Sequence, residues 1–576
     1  MDRAFRRREK FLDPTPGRSK RRGAASSDVS GASGSTACAH ARSGGSVGGR
    51  ALRCASLGGT PLQFRKILIA NRGEIAVRVA RTCREMGIST VAIYSDADRA
   101  ALHVRTCDEA VRVGPPPSRE SYLVIENVIA AARTSRADAI HPGYGFLSEN
   151  PGFARACAEA KIAFIGPPPE AMEEMGEKTR ARRKASEAGV PIVPGMKEPI
   201  PEGQEAAAKE YAQRVGYPIM IKAAAGGGGK GMRLVESPKD FDAALTTAQR
   251  EALSAFGDGR VYLEKAISRP RHVEIQIFAD RSGTCLWLGE RECSVQRRHQ
   301  KVIEETPSAV VTPQLRAQMG EVACKAALAV GYVGAGTCEF LVDGNTRSFY
   351  FLEMNTRLQV EHPITEWCTG LDLVRWQIEV AQGARLPWSQ EDVLRNLRGH
   401  AIEARLYAED PARNFMPSPG TIGELRLSAG PFVRNDCGVE SGSEVPRYYD
   451  PMIGKLAVWA GSREAAVARR KRALSETVVK GITTNTGYLR RILDLEEFRR
   501  GDYDTGLLAN AKDRLLPAVG KEGELTPDQE LAISAAAIFQ LERDERVALQ
   551  GAPSTNGSAT SAWATAGRME ALRRGR

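Results

Sequence analysis

The feature that most constrains this chain is a buried strand followed at once by an amphipathic helix. Lys66-Ile-Leu-Ile-Ala70 is an apolar run typical of a parallel strand covered on both faces. The stretch from Glu74 to Met86 then places apolar residues at helical spacing. Val91-Ala-Ile-Tyr94 and Ala139-Ile-His-Pro142 repeat the strand pattern, with a helix predicted around Tyr122 to Arg133 between them. Strands that alternate with helices predict a doubly wound α/β domain.

Charge and cysteine usage argue against several classes of protein. The formal net charge is +11, but residues 1–63 hold twelve Lys/Arg against four Asp/Glu, so the other 513 residues carry only +3. A body with so little excess charge does not predict a nucleic-acid partner. The eleven cysteines include no CxxC pair, which argues against a zinc framework and a disulfide-stapled secreted fold. No apolar run reaches the ~18 residues of a membrane span.

Length and composition predict several domains. At ~150 residues per domain, 576 residues correspond to three or four. Turn-rich stretches at Gly166-Pro-Pro-Pro169 and Val190-Pro-Ile-Val-Pro194 bound a helical linker. The predicted segments are a disordered basic leader (1–63), an N-terminal α/β domain (64–165), linker helices (166–193), a small glycine-interrupted unit (194–266), a longer mixed α/β unit (267–510), and an extension (511–576) with one helix at about 526–550 and a disordered tail.

The basic leader has three interpretations. Its Arg, Ser, Gly and Ala content buries too little apolar surface to offset the entropy of ordering, so we expect disorder. The same composition is typical of a transit peptide for organellar import. A start codon assigned too early is the third interpretation. Asp2, Glu9 and Asp13 interrupt the basic stretch and argue against a transit peptide, so we expect a cytoplasmic protein.

A run of glycines marks a candidate phosphate-binding loop. Ala225-Gly-Gly-Gly-Gly-Lys-Gly-Met232 follows the strand-like Ile219-Met-Ile-Lys222, and glycines let backbone N–H groups approach a phosphate closely. The loop is not a Walker A motif, because Ala224 and Gly231 stand where that motif needs Gly and Ser or Thr. Asn71-Arg-Gly-Glu74 likewise lacks the GxGxxG spacing. A flexible loop without a ligand is the alternative.

Residues around this loop favour a ligand. Lys178 lies upstream, and Glu264-Lys265 ends a strand-like run downstream. Further along, Gln296-Arg-Arg-His-Gln-Lys301 lies between apolar flanks. A charge run is usually a solvated face, but this mixture of residues between apolar neighbours suits an anion-lined pocket better.

Two acidic residues lie on consecutive strand-like segments. Glu339 belongs to Cys338-Glu-Phe-Leu-Val342, and Glu353 ends Phe349-Tyr-Phe-Leu-Glu353. Because a lone carboxylate among apolar residues is costly, each requires a partner. A structural ion pair is one explanation. The other is a shared magnesium ion that bridges the carboxylates to nucleotide phosphates, with Asn355 on the same face of the strand as a third oxygen ligand.

The most informative stretch is Glu353-Met-Asn-Thr-Arg-Leu-Gln-Val-Glu361. Arg357 can hold a small planar oxyanion in bidentate fashion, and Glu361 can take a proton from it. Both follow the candidate metal ligands by only a few residues. This arrangement suits an acid that is activated by phosphoryl transfer.

From about Phe64 to Asn510, the sequence resembles biotin carboxylase of the ATP-grasp superfamily. The resemblance implies an ATP-dependent ligase and an α/β ATP-grasp fold, with an N-terminal doubly wound domain, a small mobile lid and a C-terminal mixed α/β domain. Lys230 replaces the Arg common in the glycine loop, and Trp367-Cys368 is an unusual pair. The matching signatures are Ile69-Ala-Asn-Arg-Gly-Glu-Ile-Ala76, His141-Pro-Gly-Tyr-Gly-Phe-Leu-Ser-Glu-Asn150, Gly226-Gly-Gly-Gly-Lys-Gly-Met232, Arg271-His-Val-Glu-Ile-Gln276, Gln296-Arg-Arg-His-Gln-Lys301 and Glu353-Met-Asn-Thr-Arg-Leu-Gln-Val-Glu-His-Pro363.

The resemblance also implies binding roles, which fall into three groups. The ATP-binding residues would be Lys178, Lys222, Gly228, Gly229, Glu264, Lys265, Ala266, Ile267, His272, Gln296, His299, Glu339 and Glu353. The ligands of a divalent metal, Mg²⁺ or Mn²⁺, would be Glu339, Glu353 and Asn355. The groups that position bicarbonate would be Lys301, Arg357, Gln359 and the Val360 backbone.

The implied chemistry proceeds through carboxyphosphate. Glu361 would deprotonate bicarbonate, which attacks the γ-phosphate of ATP. Carboxyphosphate then breaks down to CO₂ and phosphate, and that phosphate removes the ureido proton of biotin. Arg405, in Glu403-Ala-Arg405, would stabilise the enolate-like biotin, and Tyr144 is a further candidate near biotin. Electrostatic stabilisation in a site covered by a lid would supply most of the rate enhancement.

Biotin itself is expected on another protein. Biotinyl lysines normally lie in an Ala-Met-Lys-Met-like turn, whereas the only Met-Lys here is Met196-Lys197 in the linker. The expected partners are a biotin carboxyl carrier protein and carboxyltransferase subunits, in an acetyl-CoA carboxylase. A complex that uses propionyl-CoA, another acyl-CoA or pyruvate is the alternative, and a non-catalytic nucleotide-binding regulatory subunit is a more distant one. Family members are commonly homodimers, and Arg81 and Glu85 match positions used at that interface.

Overall fold

A computed structural model describes residues 63–196, 199–200, 203–224, 232–516 and 527–551. The chain divides into a large unit, residues 1–516, and a small unit, residues 517–576. Most of the leader, the glycine run at 225–231 and the C-terminal tail lie outside the described residues. Among the described helices, none is long and apolar enough to cross a membrane.

The N-terminal domain is the doubly wound α/β domain predicted from the sequence, and its five strands are parallel. Its strands are β1 (Lys66–Ile69), β2 (Ser89–Ser95), β3 (Glu109–Gly114), β4 (Ala139–His141) and β5 (Ala163–Phe164), in the spatial order β3-β2-β1-β4-β5. Its helices are α1 (Gly73–Glu85), α2 (Leu102–Thr106), α3 (Ile125–Ser135) and α4 (Pro151–Glu159). Helix α3 begins three residues after its predicted start, because Tyr122 is buried and donates its hydroxyl to Asp98.

Two linker helices lead into a small three-stranded antiparallel sheet. The elements are α5 (Pro169–Gly176), α6 (Lys178–Glu187), α7 (Glu205–Val215), β6 (Ile219–Ala223), β7 (Met232–Val235), α8 (Phe241–Phe256) and β8 (Val261–Lys265), with the strand order β7-β6-β8. A compact core of its own, which includes Ile221, Phe241 and Leu263, holds this small sheet together. The strands flank the glycine run, so β6 and β7 place both ends of the candidate phosphate loop side by side.

The largest element is an eight-stranded antiparallel sheet. The strands after β8 are β9 (Arg271–Ala279), β10 (Cys285–Arg297), β11 (Gln300–Thr306), β12 (Gly334–Val342), β13 (Phe349–Asn355), β14 (His400–Tyr407), β15 (Glu409–Asp410), β16 (Met416–Pro417), β17 (Gly420–Thr421), β18 (Glu424–Arg426), β19 (Val433–Cys437), β20 (Glu444–Val445), β21 (Met452–Ala460) and β22 (Val478–Lys480). The large sheet has the order β13-β12-β9-β10-β11-β14-β21-β19, and the short strands form the pairs β15-β16, β17-β20 and β18-β22.

Helices cover both faces of this sheet. On one face they pack against Ile275 and Ile402, and on the other they pack against Phe278 and Ala401. The helices are α9 (Pro313–Leu328), α10 (His362–Thr369), α11 (Leu373–Ala381), α12 (Gln390–Asn396), α13 (Arg463–Glu476), α14 (Thr486–Asp494), α15 (Glu496–Arg500), α16 (Leu507–Asn510) and α17 (Lys512–Leu515).

The small C-terminal unit contains one described helix, α18 (Pro527–Gly551), where the sequence predicts a helix at about 526–550. Thr526, the first residue of the predicted helix, lies outside the described residues. Large apolar side chains on this helix are exposed, among them Leu531 and Leu541.

Candidate active site

Alternation along the strands separates the two faces of the large sheet. On β14, Ile402 and Ala404 lie in the apolar core, so Arg405 points to the other face. On the same principle, Glu274 of β9 and Glu339 of β12 share that other face, where they lie opposite each other in register. One face of the sheet is therefore apolar along these strands, and the other carries buried charges beside a second set of apolar side chains.

Lys301 lies at the centre of these charges. Its ammonium is 2.5 Å from Glu274 Oε2, 2.9 Å from Glu339 Oε1 and 2.7 Å from Glu361 Oε1. Burial alone would lower the pKa of Lys301, but the three carboxylates raise it well above its usual range. The ammonium is therefore charged at any physiological pH, and it offers a fixed cation to an incoming anion.

Glu361 is completely buried between two cations. Lys301 contacts its Oε1, and Arg405 Nη2 donates to its Oε2 at 2.9 Å. Burial would raise the pKa of Glu361, yet Lys301 and Arg405 hold it well below the usual range. Arg405 also donates to Glu304 at 2.7 Å, which keeps the guanidinium oriented. The cations that stabilise the Glu361 carboxylate would equally lower the pKa of a second acid bound between them.

Glu339 and Glu353 lie opposite each other on β12 and β13. Glu339 Oε2 is 3.0 Å from His272 Nε2, and its Oε1 accepts from Asn355 Nδ2 at 2.9 Å. Burial opposes ionisation of Glu339, but Lys301 and His272 lower its pKa far below the usual range, so it is a carboxylate. Two adjacent strands thus present hard oxygen ligands of the kind that Mg²⁺ prefers.

The expected metal ligand Asn355 is oriented differently from the prediction. Its amide nitrogen faces Glu339, while its Oδ1 accepts from Arg357 Nη2 at 3.1 Å. Rotation of the amide by half a turn would offer the oxygen to a metal. Instead, His272 and Glu274 approach Glu339 closely enough to form a three-residue group of possible ligand atoms within 4.8 Å of one another. The carboxylates of this group are compatible with a divalent cation.

Arg357 is already held on several sides. Its Nε donates to Glu149 Oε2 at 2.8 Å, and its Nη1 donates to Gln359 Oε1 at 3.0 Å. Glu149 also accepts the backbone N–H of Thr356 at 3.0 Å. Arg357 and Gln359 are therefore adjacent, as a shared oxyanion site requires, and Glu149 fixes the orientation of the guanidinium.

Glu264 is the buried carboxylate of the small sheet. It accepts hydrogen bonds from Lys222 on β6 and from Arg182 on α6. Burial would raise the pKa of Glu264, but these two cations lower it. Lys265 instead donates to the carbonyls of Gly216 and Tyr217, at 2.9 and 3.2 Å. Lys222 is thus the expected ATP-binding cation that lies beside the glycine run.

The remaining expected ATP-binding residues occupy several positions. Ala266 and Ile267 follow β8, and the Ala266 N–H donates to the Pro218 carbonyl at 3.1 Å. His299 lies in the two-residue turn between β10 and β11, where Arg298 and His299 have φ of 50° and 67°. Positive φ at both central residues is typical of a two-residue β-hairpin turn, so the conformation of His299 follows from this short connection.

Some of the expected residues fall outside this description. Gly228 and Gly229 lie outside the described residues, and nothing is described of the Lys178 side chain. Gln296 pairs with Lys301 across β10 and β11, so it reaches the edge of the charged cluster. Tyr144, expected near biotin, donates its hydroxyl to Glu74.

Sequence reasoning missed several charged residues that complete the site. Glu274 and Glu149 were present in two of the quoted signatures, but no role was assigned to them. Arg291 reaches Glu274 at 2.5 Å, and Lys455 donates to the Val360 carbonyl. Arg182 lies within the predicted linker helices, and no role was assigned to it. The strand alternation around Glu274 was the one available signal, since it places a carboxylate among buried residues.

Comparisons with known proteins agree with this geometry. Three family models match the chain: Biotin carboxylase, N-terminal domain, over residues 63–172; Carbamoyl-phosphate synthase L chain, ATP binding domain, over residues 177–389; and Biotin carboxylase C-terminal domain over residues 403–510. The biotin carboxylase of Nostoc sp. (strain PCC 7120) is 53% identical over 447 residues, which is 78% of this chain and 99% of that protein.

A second relative is much longer than the matched region. The mitochondrial methylcrotonoyl-CoA carboxylase subunit alpha of Oryza sativa subsp. japonica is 52% identical over 455 residues, which covers 78% of this chain but 61% of that protein. The chain thus spans about three fifths of that relative's length.

Solved structures show the same similarity. A biotin carboxylase complex from Campylobacter jejuni aligns with a TM-score of 0.72 and 48% identity, over 78% of this chain and 99% of that one. The bicarbonate-bound biotin carboxylase domain of a thermophilic 2-oxoglutarate carboxylase aligns with a TM-score of 0.75 and 43% identity, over 79% of this chain and all of that one. The chain therefore belongs to the biotin carboxylase family and is an ATP-dependent ligase of the α/β ATP-grasp type.

Proposed function

We propose that this protein carboxylates biotin on a separate carrier protein, with ATP and bicarbonate, as the first half-reaction of an acetyl-CoA carboxylase. The observation that carries the proposal is Glu361, a buried carboxylate held between Lys301 and Arg405. Arg357 and Gln359, which contact each other, belong to the same loop. A base between two fixed cations suits the deprotonation of a small oxyacid whose negative charge increases during reaction.

Bicarbonate binds among Lys301, Arg357, Gln359 and the Val360 backbone in this proposal. Glu361 accepts its proton while a bicarbonate oxygen attacks the γ-phosphorus of ATP, and the bond to the bridging oxygen of ADP breaks. Carboxyphosphate then separates into CO₂ and phosphate. The phosphate takes the ureido proton of biotin, whose nitrogen attacks CO₂. Arg405 stabilises the negative charge on the ureido oxygen, and Tyr144 lies near biotin.

ATP is assigned to the glycine run and the small sheet. Lys178 and Lys222 neutralise phosphate charge, Gly228 and Gly229 supply backbone donors, and segment 264–267 with His272, Gln296 and His299 completes the site. Residues 194–266 form the lid in this proposal. We also propose the other domain boundaries predicted from the sequence. Glu339, Glu353 and Asn355 would hold Mg²⁺ or Mn²⁺, which when bound would neutralise charge on the β- and γ-phosphates.

A direct test is bicarbonate-dependent ATP hydrolysis by the purified chain, with and without free biotin. We expect biotin to stimulate turnover of the wild type, and Arg405→Ala to lose that stimulation. Arg395→Ala is the matched control, because Arg395 is an exposed arginine whose partner is Asp392 on the same helix. Hydrolysis indifferent to both bicarbonate and biotin would contradict the proposal. Tight ATP binding without hydrolysis would favour a regulatory subunit.

The acyl substrate requires a separate experiment. The match to nearly all of the Nostoc biotin carboxylase supports biotin carboxylation itself, and we assign this half-reaction to malonyl-CoA and fatty acid synthesis. The similarity to methylcrotonoyl-CoA carboxylase supports the alternative acyl substrates. Partners that co-purify with the tagged full-length chain would be supplied with acetyl-CoA, propionyl-CoA, 3-methylcrotonyl-CoA or pyruvate. Incorporation of labelled bicarbonate into one product then identifies the complex.

Assembly and location complete the proposal. Arg81 and Glu85 are exposed on α1 and support a homodimer, and one similar solved structure is described as a biotin carboxylase domain dimer. Light scattering of Glu85→Arg tests this, with a monomer as the expected result. We place the protein in the cytoplasm. Because relatives are named as chloroplastic or mitochondrial, fluorescent fusions with and without residues 1–62 test organellar import.

A further inference from the structure

We propose that Lys455 is a positioning residue for the bicarbonate-binding backbone at Val360, and that Glu74 holds Lys455 in place. This inference rests on the proposed function, because it concerns the same bicarbonate site. It adds a residue from β21 and a residue from the N-terminal domain, neither of which belongs to the sequence signatures as a functional group. Both act through the backbone beside Glu361 rather than on the substrate.

Lys455 is a completely buried lysine on β21, the strand next to one edge of the large sheet. Its side chain has no exposed surface, and it lies opposite Arg405 in the register of β14 and β21. Its ammonium donates to the carbonyl oxygen of Val360. A buried ammonium is costly unless it is paired, so these contacts determine where the side chain can lie.

Glu74 is the carboxyl group that contacts the Lys455 ammonium. Burial raises the pKa of Glu74 to about 7, so it gives the ammonium a full negative charge above that pH. Its Oε1 is 3.1 Å from the Lys455 ammonium, and it accepts the hydroxyl of Tyr144. The Tyr144 ring also faces the ammonium, with its centroid 5.5 Å from Nζ. Asp436, the cross-strand neighbour of Lys455 on β19, is engaged by Arg434 at 2.8 Å. The ammonium is thus surrounded by an acid, an aromatic ring and one backbone carbonyl.

The carbonyl that Lys455 holds belongs to the peptide between Val360 and Glu361. Because a peptide unit is planar, fixing its oxygen fixes the plane from which the Glu361 side chain departs. In the proposed function, the backbone of this same residue, Val360, helps to position bicarbonate. Loss of the Lys455 donor would free this peptide to rotate, while Lys301 and Arg405 would still hold the carboxylate end of Glu361. Bicarbonate affinity should therefore suffer more than nucleotide affinity.

The test compares KM values for bicarbonate and ATP in Lys455→Met, a change that keeps the length and apolar stem of the side chain. A hydrogen bond from a charged donor is worth about 1.5–3 kcal/mol, which corresponds to a rise of roughly 10- to 100-fold in the KM for bicarbonate. We expect the KM for ATP to change less than about twofold. Lys455→Arg, which keeps the charge and donors, should recover part of the loss.

Arg316→Met is the control, because Arg316 is a largely buried cation, 13% exposed, that pairs at 2.7 Å with the fully buried Glu290 of the same sheet. It should lower the thermal midpoint without a selective change in the KM for bicarbonate. An unchanged KM for bicarbonate in Lys455→Met, or an equal rise in both KM values, overturns the inference. If the wild type itself shows no bicarbonate dependence, the proposed function fails first, which is a different result.

Glu74→Gln keeps the test decisive if Lys455→Met does not fold. This variant retains an oxygen for Lys455 and Tyr144 but removes the charge. We expect a smaller rise in the KM for bicarbonate in the same direction at about pH 8, above the pKa of Glu74. A folded Glu74→Gln protein with the wild-type KM for bicarbonate contradicts the role assigned to Glu74.

Discussion

The two sides of the candidate active site are built differently. On the bicarbonate side, the side chains of Lys301, Arg405 and Glu361 are 12%, 10% and 0% exposed, and they are anchored in the large sheet and the turn before α10. On the nucleotide side, Lys222 and Arg182 are 27% and 30% exposed and share one buried carboxylate. The charged groups of the first side are therefore fixed by burial, whereas the cations of the second side are partly exposed.

This difference matches the size and charge of the proposed ligands. Bicarbonate is small and offers few contacts, so a site for it must have its charges fixed in advance. A nucleotide is large, and a mobile segment can close over it and add contacts one at a time. The small sheet has its own core and exposes Leu234 by 52% on β7, beside the glycine run. A core of its own is what the proposed closure of this sheet as a lid requires.

The largest expected effect tests the fixed side. Glu361→Gln should lower kcat for bicarbonate-dependent ATP cleavage by roughly 10²- to 10⁴-fold, since an amide cannot accept the proton. ADP affinity should stay within about threefold, because Glu361 does not belong to the small sheet. Steady-state kinetics and titration with a fluorescent nucleotide measure the two quantities. Glu379→Gln, a half-exposed helical glutamate, is the control. Equal losses in both quantities would erase the distinction between the two sides.

The opposite pattern is expected for a variant on the proposed nucleotide side. Lys222→Met removes a cation from Glu264 and from the proposed phosphate position, so ADP affinity should fall by roughly 10- to 100-fold. The KM for bicarbonate at saturating ATP should be unchanged. Lys209→Met is the matched control, because Lys209 lies in the same segment and pairs with Asp242 at 2.7 Å on the surface. A selective effect of Lys222→Met on bicarbonate would show that the two sides are not separable.

Lowering the pH should destabilise these two regions of the molecule to different extents. His103 and His141 are buried, and burial lowers the pKa of each to about 4, while burial lowers that of His362 still further. In the unfolded chain, these histidines bind a proton near pH 6.5. Their contribution to the free energy of unfolding is therefore complete above pH 6.5 and is lost as the pH falls toward 4. The proposed lid, residues 194–266, contains no histidine.

Urea unfolding at a series of pH values checks this prediction. The urea midpoint of the large unit should decrease as the pH is lowered from 6.5 to 4.5. At the acid end, each buried histidine should lower the free energy of unfolding by up to about 3 kcal/mol. His141→Asn should flatten the curve, because asparagine can still accept the Gly143 N–H but does not titrate. Hydrogen exchange in β6 and β8 should respond less than exchange in β1 and β4. A pH-independent midpoint would contradict the assignment of neutral buried histidines.

The smallest effect is expected on the surface of the small sheet. Leu234→Ser should change the free energy of unfolding by less than about 0.5 kcal/mol, because the side chain is half exposed. Leu263→Ser, at a fully buried position of the same sheet, should cost several times more. Chemical denaturation measures both. If Leu234→Ser instead weakens ADP binding, this exposed leucine contacts the nucleotide or the closed lid.

Much of the fold was readable from local patterns. The strand at Lys66–Ile69 and the helix after it have periodicities that depend only on nearby residues, so their type and approximate bounds follow from the sequence. The cluster Glu353 to Glu361 was readable for a similar reason, since its candidate ligands and cation lie within nine residues. Helix α3 began later than expected, because the burial of Tyr122 against Asp98 is a long-range contact.

The sequence by itself determined the α/β class, the family and the chemical types available to the site, because these depend on residue identity and short-range spacing. Only the tertiary structure decided that Lys301 serves three carboxylates and that Asn355 turns its oxygen to Arg357. It also decided that Lys455 and Glu74, 381 positions apart, meet behind Val360. Such contacts join strands far apart in the chain, and their geometry follows from sheet register and burial, which no local pattern encodes.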